Sequence, residues 1–300
     1  MSKIDLKGII TAMVTPFAED ESLDAGAAAF MADWLVERGV HGIFIAGTNG
    51  EFHLMDDDEK VCLTRAVVKA VDGRVPVIAG AGCCSTLHTI ELGLRLMDAG
   101  ADVLSVVTPY YLVPNQDDLY IHYERIAERV NAPVVMYNIP GQTGCKIEPE
   151  TVDRLAGVDG IVGIKDSGGD FDTQLAYIES SKSHSGFAVL NGSDSLMLRA
   201  FEAGASASVA ATSNIIPEVE VKLYNDFLAG RLDEAKIGRE MMDPLRKTLK
   251  KCVAPAVMKQ ALNMMGVRAG ITRTPVRMPA PDVVEEIDEM LKFYGIAHSV

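Results

Sequence analysis

The sequence predicts a (β/α)₈ TIM barrel with a C-terminal helical extension. Three observations point there. Eight short apolar runs recur along the chain, amphipathic stretches of helical spacing separate them, and the alternation stops near residue 230. Runs apolar on both faces and spaced by helices indicate a parallel sheet. Eight such units in about 230 residues suit a closed barrel. An open doubly wound sheet fits less well, because no G-x-G-x-x-G turn follows the first run.

The runs are 8–14, 42–46, 75–79, 103–107, 134–137, 161–165, 187–190 and 207–211. They are short, rich in β-branched residues and bounded by turn residues, as buried strands are. Helical spacing occupies 25–38, 57–71, 86–99, 116–130 and 171–181. Beyond residue 230, helical patterns at 232–251, 255–265 and 281–294 have no strand between them. The expected organisation is a catalytic barrel over residues 1–230 and a helical extension over 231–300 packed on it. No short-period repeat or low-complexity tract interrupts the chain.

Composition narrows the function. The 300 residues are 48% hydrophobic with a net charge of −14. That charge argues against nucleic acid or an anionic membrane as partner. It leaves open an anionic small substrate, since a local site can be positive on an acidic protein. No run reaches eighteen apolar residues, so no membrane helix is expected. The start, Met1 to Asp5, alternates charge and does not read as a signal peptide. Cysteines 62, 83, 84, 145 and 252 show neither a CxxC pair nor a disulfide framework. Reduced thiols in a cytoplasmic protein are expected. Histidines 41, 53, 88, 122, 184 and 298 have no ligand spacing, so no metal site is expected.

In such barrels the active site lies at the C-terminal ends of the strands. The most informative residue there is Lys165, which ends Ile161-Val162-Gly163-Ile164-Lys165 and precedes Asp166-Ser167-Gly168-Gly169. Burial disfavours the charged ammonium, and a neutral amine can form a Schiff base with a carbonyl. The plainer reading is a lysine snorkelling to the rim or pairing with Asp166. After strand two, Gly47-Thr48-Asn49-Gly50-Glu51 makes a tight turn whose N–H groups could cradle a carboxylate, or it is an ordinary βα turn. Strand four leads into Thr108-Pro109-Tyr110-Tyr111, whose phenols could also be packing residues. Strand five ends in Tyr137, followed by Asn138-Ile139-Pro140-Gly141-Gln142. A strand-end phenol can move a proton or merely fill a core. Strand seven leads into Asn191-Gly192-Ser193-Asp194, where Ser193 or Asp194 could cap the next helix. Together these strand ends place a carboxylate nest, phenols and a desolvated amine at one mouth. That set suits Schiff-base carbon–carbon chemistry on a 2-oxo acid.

The chain resembles the dihydrodipicolinate synthase / N-acetylneuraminate lyase family of pyruvate-dependent class I aldolases. The likeness runs over essentially the whole chain. It rests on Val14-Thr15-Pro16-Phe17, Gly47-Thr48-Asn49-Gly50-Glu51, Pro109-Tyr110-Tyr111, Tyr137-Asn138-Ile139-Pro140 and Gly163-Ile164-Lys165-Asp166-Ser167. The resemblance implies that Lys165 is the Schiff-base lysine and Tyr137 the proton shuttle. It implies that Thr48 and Asn49 hold the pyruvate carboxylate, with Thr48 also in the relay. It implies that Tyr111 is a relay tyrosine that enters a neighbouring subunit's site, and that Gly192 and Val209 line the pocket. It further implies no cofactor and a homotetramer built from two tight dimers.

Two departures matter. Many of the family's synthases carry Thr-Thr where this chain has Thr48-Asn49, and an amide can still bind a carboxylate. The synthases also carry an arginine where this chain has Gln142, and that arginine binds the carboxylate of aspartate semialdehyde. A neutral amide cannot form the bidentate ion pair, a loss on the order of 1.5–3 kcal/mol. The expected reaction is therefore reversible aldol cleavage of a 2-keto-3-deoxy sugar acid or similar hydroxylated 2-oxo acid. The alternatives are 4-hydroxy-tetrahydrodipicolinate synthase, a 2-keto-3-deoxy acid dehydratase, and a non-catalytic 2-oxo-acid-binding protein.

Overall fold

A computed structural model describes residues 4–297 and 299. Met1, Ser2, Lys3, His298 and Val300 lie outside the described residues, and with them part of the N-terminal reading. Eight parallel strands close in sequence order, β8 returning to β1. They are β1 (Gly8–Ala12), β2 (Gly42–Ile45), β3 (Val77–Gly80), β4 (Val103–Val107), β5 (Val134–Asn138), β6 (Ile161–Asp166), β7 (Ala188–Asn191) and β8 (Ala207–Ala210). The expected strands are all present, with ends moved by up to two residues. Pro76 cannot donate to a ladder, and β3 starts just after it. At β1 the chain turns off toward Pro16, and Met13 keeps one bond across, its N–H to Phe44 O at 2.9 Å.

Helices α1 (Ala25–Glu37), α2 (Asp57–Val71), α3 (Thr86–Asp98) and α4 (Gln116–Val130) follow the first four strands. Asp24, Asp56, Ser85 and Asn115 cap them, each side chain accepting from a backbone N–H of the first turn. The short α5 (Pro140–Thr143), α6 (Pro149–Ala156), α7 (Phe171–Ser181), α8 (Met197–Ala203) and α9 (Pro217–Leu228) complete the ring.

Strand alternation builds two cores. Ile10, Phe44, Ile78, Val135, Leu190 and Val209 point inward and fill the barrel. Their neighbours Ile9, Ile43, Ala79, Met136, Val189 and Ala210 point outward and pack under the helices. Fully burying one such side chain contributes roughly 1.5–3 kcal/mol.

The C-terminal segment forms α10 (Leu232–Met241), α11 (Asp243–Thr248), α12 (Ala254–Met264) and α13 (Pro281–Phe293). The single helix expected over 232–251 is thus two helices. Pro244 lacks an N–H and sits in the first turn of the second, where that loss is tolerated. These helices reach back to the C-terminal ends of the strands. Ile271 bridges Phe17, and Lys259 of α12 is buried against the turn after β2. Among the described residues no helix is long and apolar enough to cross a membrane. Nor could any group of three or more His, Cys, Asp or Glu among them hold a metal ion.

Candidate active site

A register shift aims Lys165. Val134 pairs with Ile161, but Val135 pairs with Gly163, so Val162 is an extra residue in β6. Because side chains alternate, one extra residue flips every later side chain to the other face. Gly163 and Lys165 therefore share the inward face with Val135 and Tyr137. Tyr137 and Lys165 are register partners, and Leu190 flanks Lys165 from β7.

Lys165 is 5% exposed. Its Nζ lies 3.9 Å from the Tyr137 ring centroid and 4.6 Å from that of Phe44. Neither a rim position nor a pair with Asp166 describes it. Asp166 faces outward, where its carboxylate accepts from Asn138 Nδ2 at 2.8 Å and Gly168 N at 3.1 Å. Burial raises the Asp166 carboxyl above its ordinary value, and these two donors only partly offset that.

The Tyr137 hydroxyl is 3.2 Å from Thr48 Oγ1. Burial alone would raise this phenol, but the Lys165 charge, with hydrogen bonds from Thr48, Ser167 and Lys165, outweighs it. The net effect holds Tyr137 below the ordinary phenol value. A phenol biased toward its anion, beside an amine, is an arrangement for moving protons.

The turn after β2 is held from three sides. Ala46 takes a positive φ of 49° to start it. Gly80 permits this, because a Cβ there would fall 2.0 Å from Ala46 O. Thr15 donates to Gly50 O at 2.7 Å, which explains the Val14-Thr15-Pro16-Phe17 motif. Glu51, at φ 55°, pairs with Lys259 Nζ at 2.6 Å and accepts from Arg273 N at 3.1 Å. The N–H groups of Thr48, Asn49 and Gly50 have no hydrogen-bond partner among the described residues. Free N–H groups at a half-buried turn form an anion cradle.

Gly192 sits behind the amine. A Cβ on it would fall 3.1 Å from Lys165 Cε, 2.8 Å from Asp166 O and 2.1 Å from Ser167 Oγ. Only glycine lets strands six and seven close here. Val209 is buried in the same interior cluster as Tyr137. Asp194 does not cap α8 as the sequence allowed. Its carboxylate crosses to the end of β8 and accepts from Ala211 N at 3.2 Å and Thr212 N at 3.1 Å.

Two expected residues stand apart. Tyr111 is 92% exposed at φ 79° and makes no hydrogen bond among the described residues. Leu112 and Val113 beside it are 78% and 59% exposed. Gln142 lies in α5 and is exposed. The structure therefore brings together Lys165, Tyr137, Thr48, Gly192 and Val209, and leaves Tyr111 outside this chain's own site.

Sequence reasoning missed Phe44, Ser167 and Lys259. Alternation along Gly42–Ile45 could have shown Phe44 facing inward. Ser167, two residues past Lys165, reaches both Tyr137 and Gly192 O, the latter at 3.4 Å. Lys259 carried no sequence signal for its partner, because Glu51 is 208 positions away.

Fold and site together define the class: a class I carbon–carbon lyase on a (β/α)₈ barrel, working through a lysine Schiff base. The chain belongs to the dihydrodipicolinate synthetase family, which matches residues 5–293. It is 35% identical over 293 residues to a 4-hydroxy-tetrahydrodipicolinate synthase of Methanopyrus kandleri, covering 97% of each chain. Its structure resembles dihydrodipicolinate synthase of Acinetobacter baumannii complexed with pyruvate, with a TM-score of 0.92 and 33% identity over 97% of this chain and 99% of that one. It also resembles a monomeric dihydrodipicolinate synthase variant, with a TM-score of 0.94 and 33% identity over 99% of each chain.

Proposed function

We propose that Lys165 is the Schiff-base residue and that the reaction is reversible aldol cleavage of a hydroxylated 2-oxo acid to pyruvate and an aldehyde. The observation that carries this is the Lys165–Tyr137–Thr48 cluster, with Lys165 Nζ 3.9 Å from the Tyr137 ring and the phenol 3.2 Å from the Thr48 hydroxyl. The free N–H groups of the Thr48-Asn49-Gly50 turn hold the substrate carboxylate. Lys165 Nζ attacks the adjacent carbonyl carbon, and loss of water leaves an iminium. Tyr137 takes the proton of the C4 hydroxyl, the C3–C4 electron pair moves into the iminium, and the aldehyde leaves. The resulting enamine takes a proton at C3, and water then releases pyruvate and the free amine. The protein supplies the electrophile itself, so the scheme calls for no metal or organic cofactor.

The substrate class follows from the neutral amide at Gln142, where the family's synthases carry an arginine, with the Thr48 and Ser167 hydroxyls beside Tyr137. These groups both donate and accept, and so suit a polyhydroxylated chain. A second reading, 4-hydroxy-tetrahydrodipicolinate synthase, is favoured by the name of the Methanopyrus relative. In either case the exposed Tyr111-Leu112-Val113 loop is where a second copy docks, with Tyr111 entering its neighbour's site in a dimer of dimers. A cytoplasmic setting suits the five free thiols.

Borohydride with pyruvate, followed by peptide mass analysis, tests the lysine: the reduced adduct falls on Lys165. A panel of 2-keto-3-deoxy acids assayed for pyruvate release, beside condensation of pyruvate with aspartate semialdehyde, separates the two substrates. Efficient condensation with no cleavage would select the synthase.

A further inference from the structure

The seam between β7 and β8 has the shortest ladder in the barrel, pairing only Leu190 with Ala207 and Asn191 with Ser208. It is one strand away from Lys165, whose register partner on β7 is Leu190. Above the ladder, side chains carry the connection. Asp194 of the β7 loop meets the 3₁₀ turn Thr212–Asn214 that follows β8. Asn214 continues the link to β1, donating to Ala12 O at 2.8 Å and accepting from Val14 N at 3.1 Å.

Thr212 stands at the centre of this link. Its hydroxyl is 3.0 Å from Asp194 Oδ2 and 2.6 Å from Glu220 Oε1. A hydroxyl has one proton and can donate to only one carboxylate. Two ionised carboxylates on one hydroxyl would leave the second contact as lone pair against lone pair. One of the two acids must therefore carry a proton and donate. Asp194 also receives two backbone N–H groups and lies near Arg246. Glu220 is fully buried, receives no N–H, and its Oε2 has no partner among the described residues. An anion so placed would be badly undersolvated. The proton belongs to Glu220.

We propose that Glu220 is a positioning residue that works as a neutral acid: its O–H donates to Thr212 Oγ1, whose O–H donates to Asp194, and this chain fixes the loop carrying Gly192 against Lys165. The claim that this loop matters for chemistry rests on the lysine assignment above. The protonation of Glu220 does not. Burial, then the nearby Asp194 charge, pushes the Glu220 carboxyl well above the ordinary value, in keeping with the proton count. Among the described residues, Arg246 of α11 lies near Asp194, Arg239 of α10 donates to Ser195 O at 3.2 Å beside it, and Tyr294, just past α13, lies near Glu220.

Glutamine is a neutral stand-in: one N–H donates to Thr212, its carbonyl takes the place of Oε2, and its second N–H adds a cost that does not change with pH. The sign of its effect is fixed by linkage. Below the ordinary glutamate value, folded and unfolded chains are both protonated and nothing changes. Above it, the unfolded chain ionises while the folded chain keeps its proton, so rising pH favours unfolding. Glu220→Gln escapes that loss. Its Tm relative to wild type should rise by roughly 2 °C for each pH unit above the ordinary glutamate value, and hold a constant offset in acid. Reductive trapping of pyruvate on Lys165 at pH 8 should stay within about two-fold for Glu220→Gln, and slow about ten-fold for Glu220→Leu, which has no donor. Infrared spectra of the wild type at pH 8 should show a protonated-carboxyl band that Glu220→Gln lacks, a reading that survives even if the leucine variant fails to fold. A Tm of Glu220→Gln that falls further below wild type as pH rises would overturn the proposal. So would a folded Glu220→Leu that traps at the wild-type rate. Absence of an adduct on the wild type would instead overturn the lysine assignment, which the Tm comparison does not depend on.

Discussion

The strand ends at the barrel mouth and the loops around it are held by different means. Lys165 and Tyr137 are register partners in a ladder, buried, with Phe44 packed beneath the amine. Tyr111 and Gln142 sit only a few residues beyond β4 and β5, yet both are exposed. The ladder sets a side chain's direction by parity, so whatever sits on an inward strand position is preorganised. Among the described residues nothing does that for Tyr111. On the proposed mechanism the bond-making centre is thus built from this chain's own strands, and Tyr111 and Gln142 are where a partner or a substrate would complete the outer mouth. Substitutions should therefore divide into large effects that need no partner and smaller ones that do.

Lys165→Ala is the largest expected effect. Turnover should fall by at least about 10³-fold, because on the proposed mechanism this amine forms the iminium. The fold should survive, since alanine shortens a side chain at the strand end and leaves the backbone ladders of β6 to β5 and β7 in place. Circular dichroism and a pyruvate-release assay read both. An adduct still forming on a different lysine of this variant would place the chemistry elsewhere.

Lys259→Met tests why the turn after β2 behaves like a strand end although it is a loop. Lys259 is fully buried, 2.6 Å from Glu51 and 2.6 Å from Ile271 O. Burial pulls its ammonium down to about 8, while Glu51 opposes the shift. Removing the amine leaves Glu51 buried without its counter-charge, a loss of about 3–5 kcal/mol. Denaturant unfolding should show that loss, and KM for the 2-oxo acid should rise as the cradle loosens. Unchanged stability and KM would mean the C-terminal helices do not hold this turn.

The same division explains what the sequence reveals. The eight strands were legible because a short apolar run bounded by turn residues is a local signal. That Lys165, Tyr137 and Thr48 meet was legible because the strand ends of a barrel converge on one mouth. The extra residue Val162 was not, since a register shift exists only between two strands. Without it, parity would have paired Lys165 with Asn138 on the outward face. The Lys259–Glu51 pair and the Glu220–Thr212–Asp194 chain were hidden for a related reason. Each is a polar side chain buried by contacts distant in sequence, and its own segment reads as an ordinary helix or turn.

Tyr111→Phe probes the partner-dependent part. If the phenol joins a neighbour's relay, its loss should lower kcat about ten-fold at concentrations where the protein is assembled. On dilution below the assembly threshold, wild type should fall to the level of the variant. Sedimentation and activity measured on one dilution series would show it. An undiminished monomer would assign the Tyr111-Leu112-Val113 loop some other purpose.

Gln142→Arg should have the smallest effect. The side chain is exposed, so a longer one needs no repacking, and stability should change by less than about 0.5 kcal/mol. An arginine there can pair with the carboxylate of aspartate semialdehyde, but water competes at an exposed site. Exposed ion pairs contribute about 0.2–1 kcal/mol, so condensation with the semialdehyde should rise only about two- to five-fold. Cleavage of a 2-keto-3-deoxy acid should fall by a similar factor, because the amide's paired donor and acceptor are lost. The ratio of the two kcat/KM values is the sensitive readout, since it cancels any shared change at Lys165. A ratio that stays put would show that α5 does not touch the second substrate, and would remove the reason for preferring a hydroxylated partner over the semialdehyde.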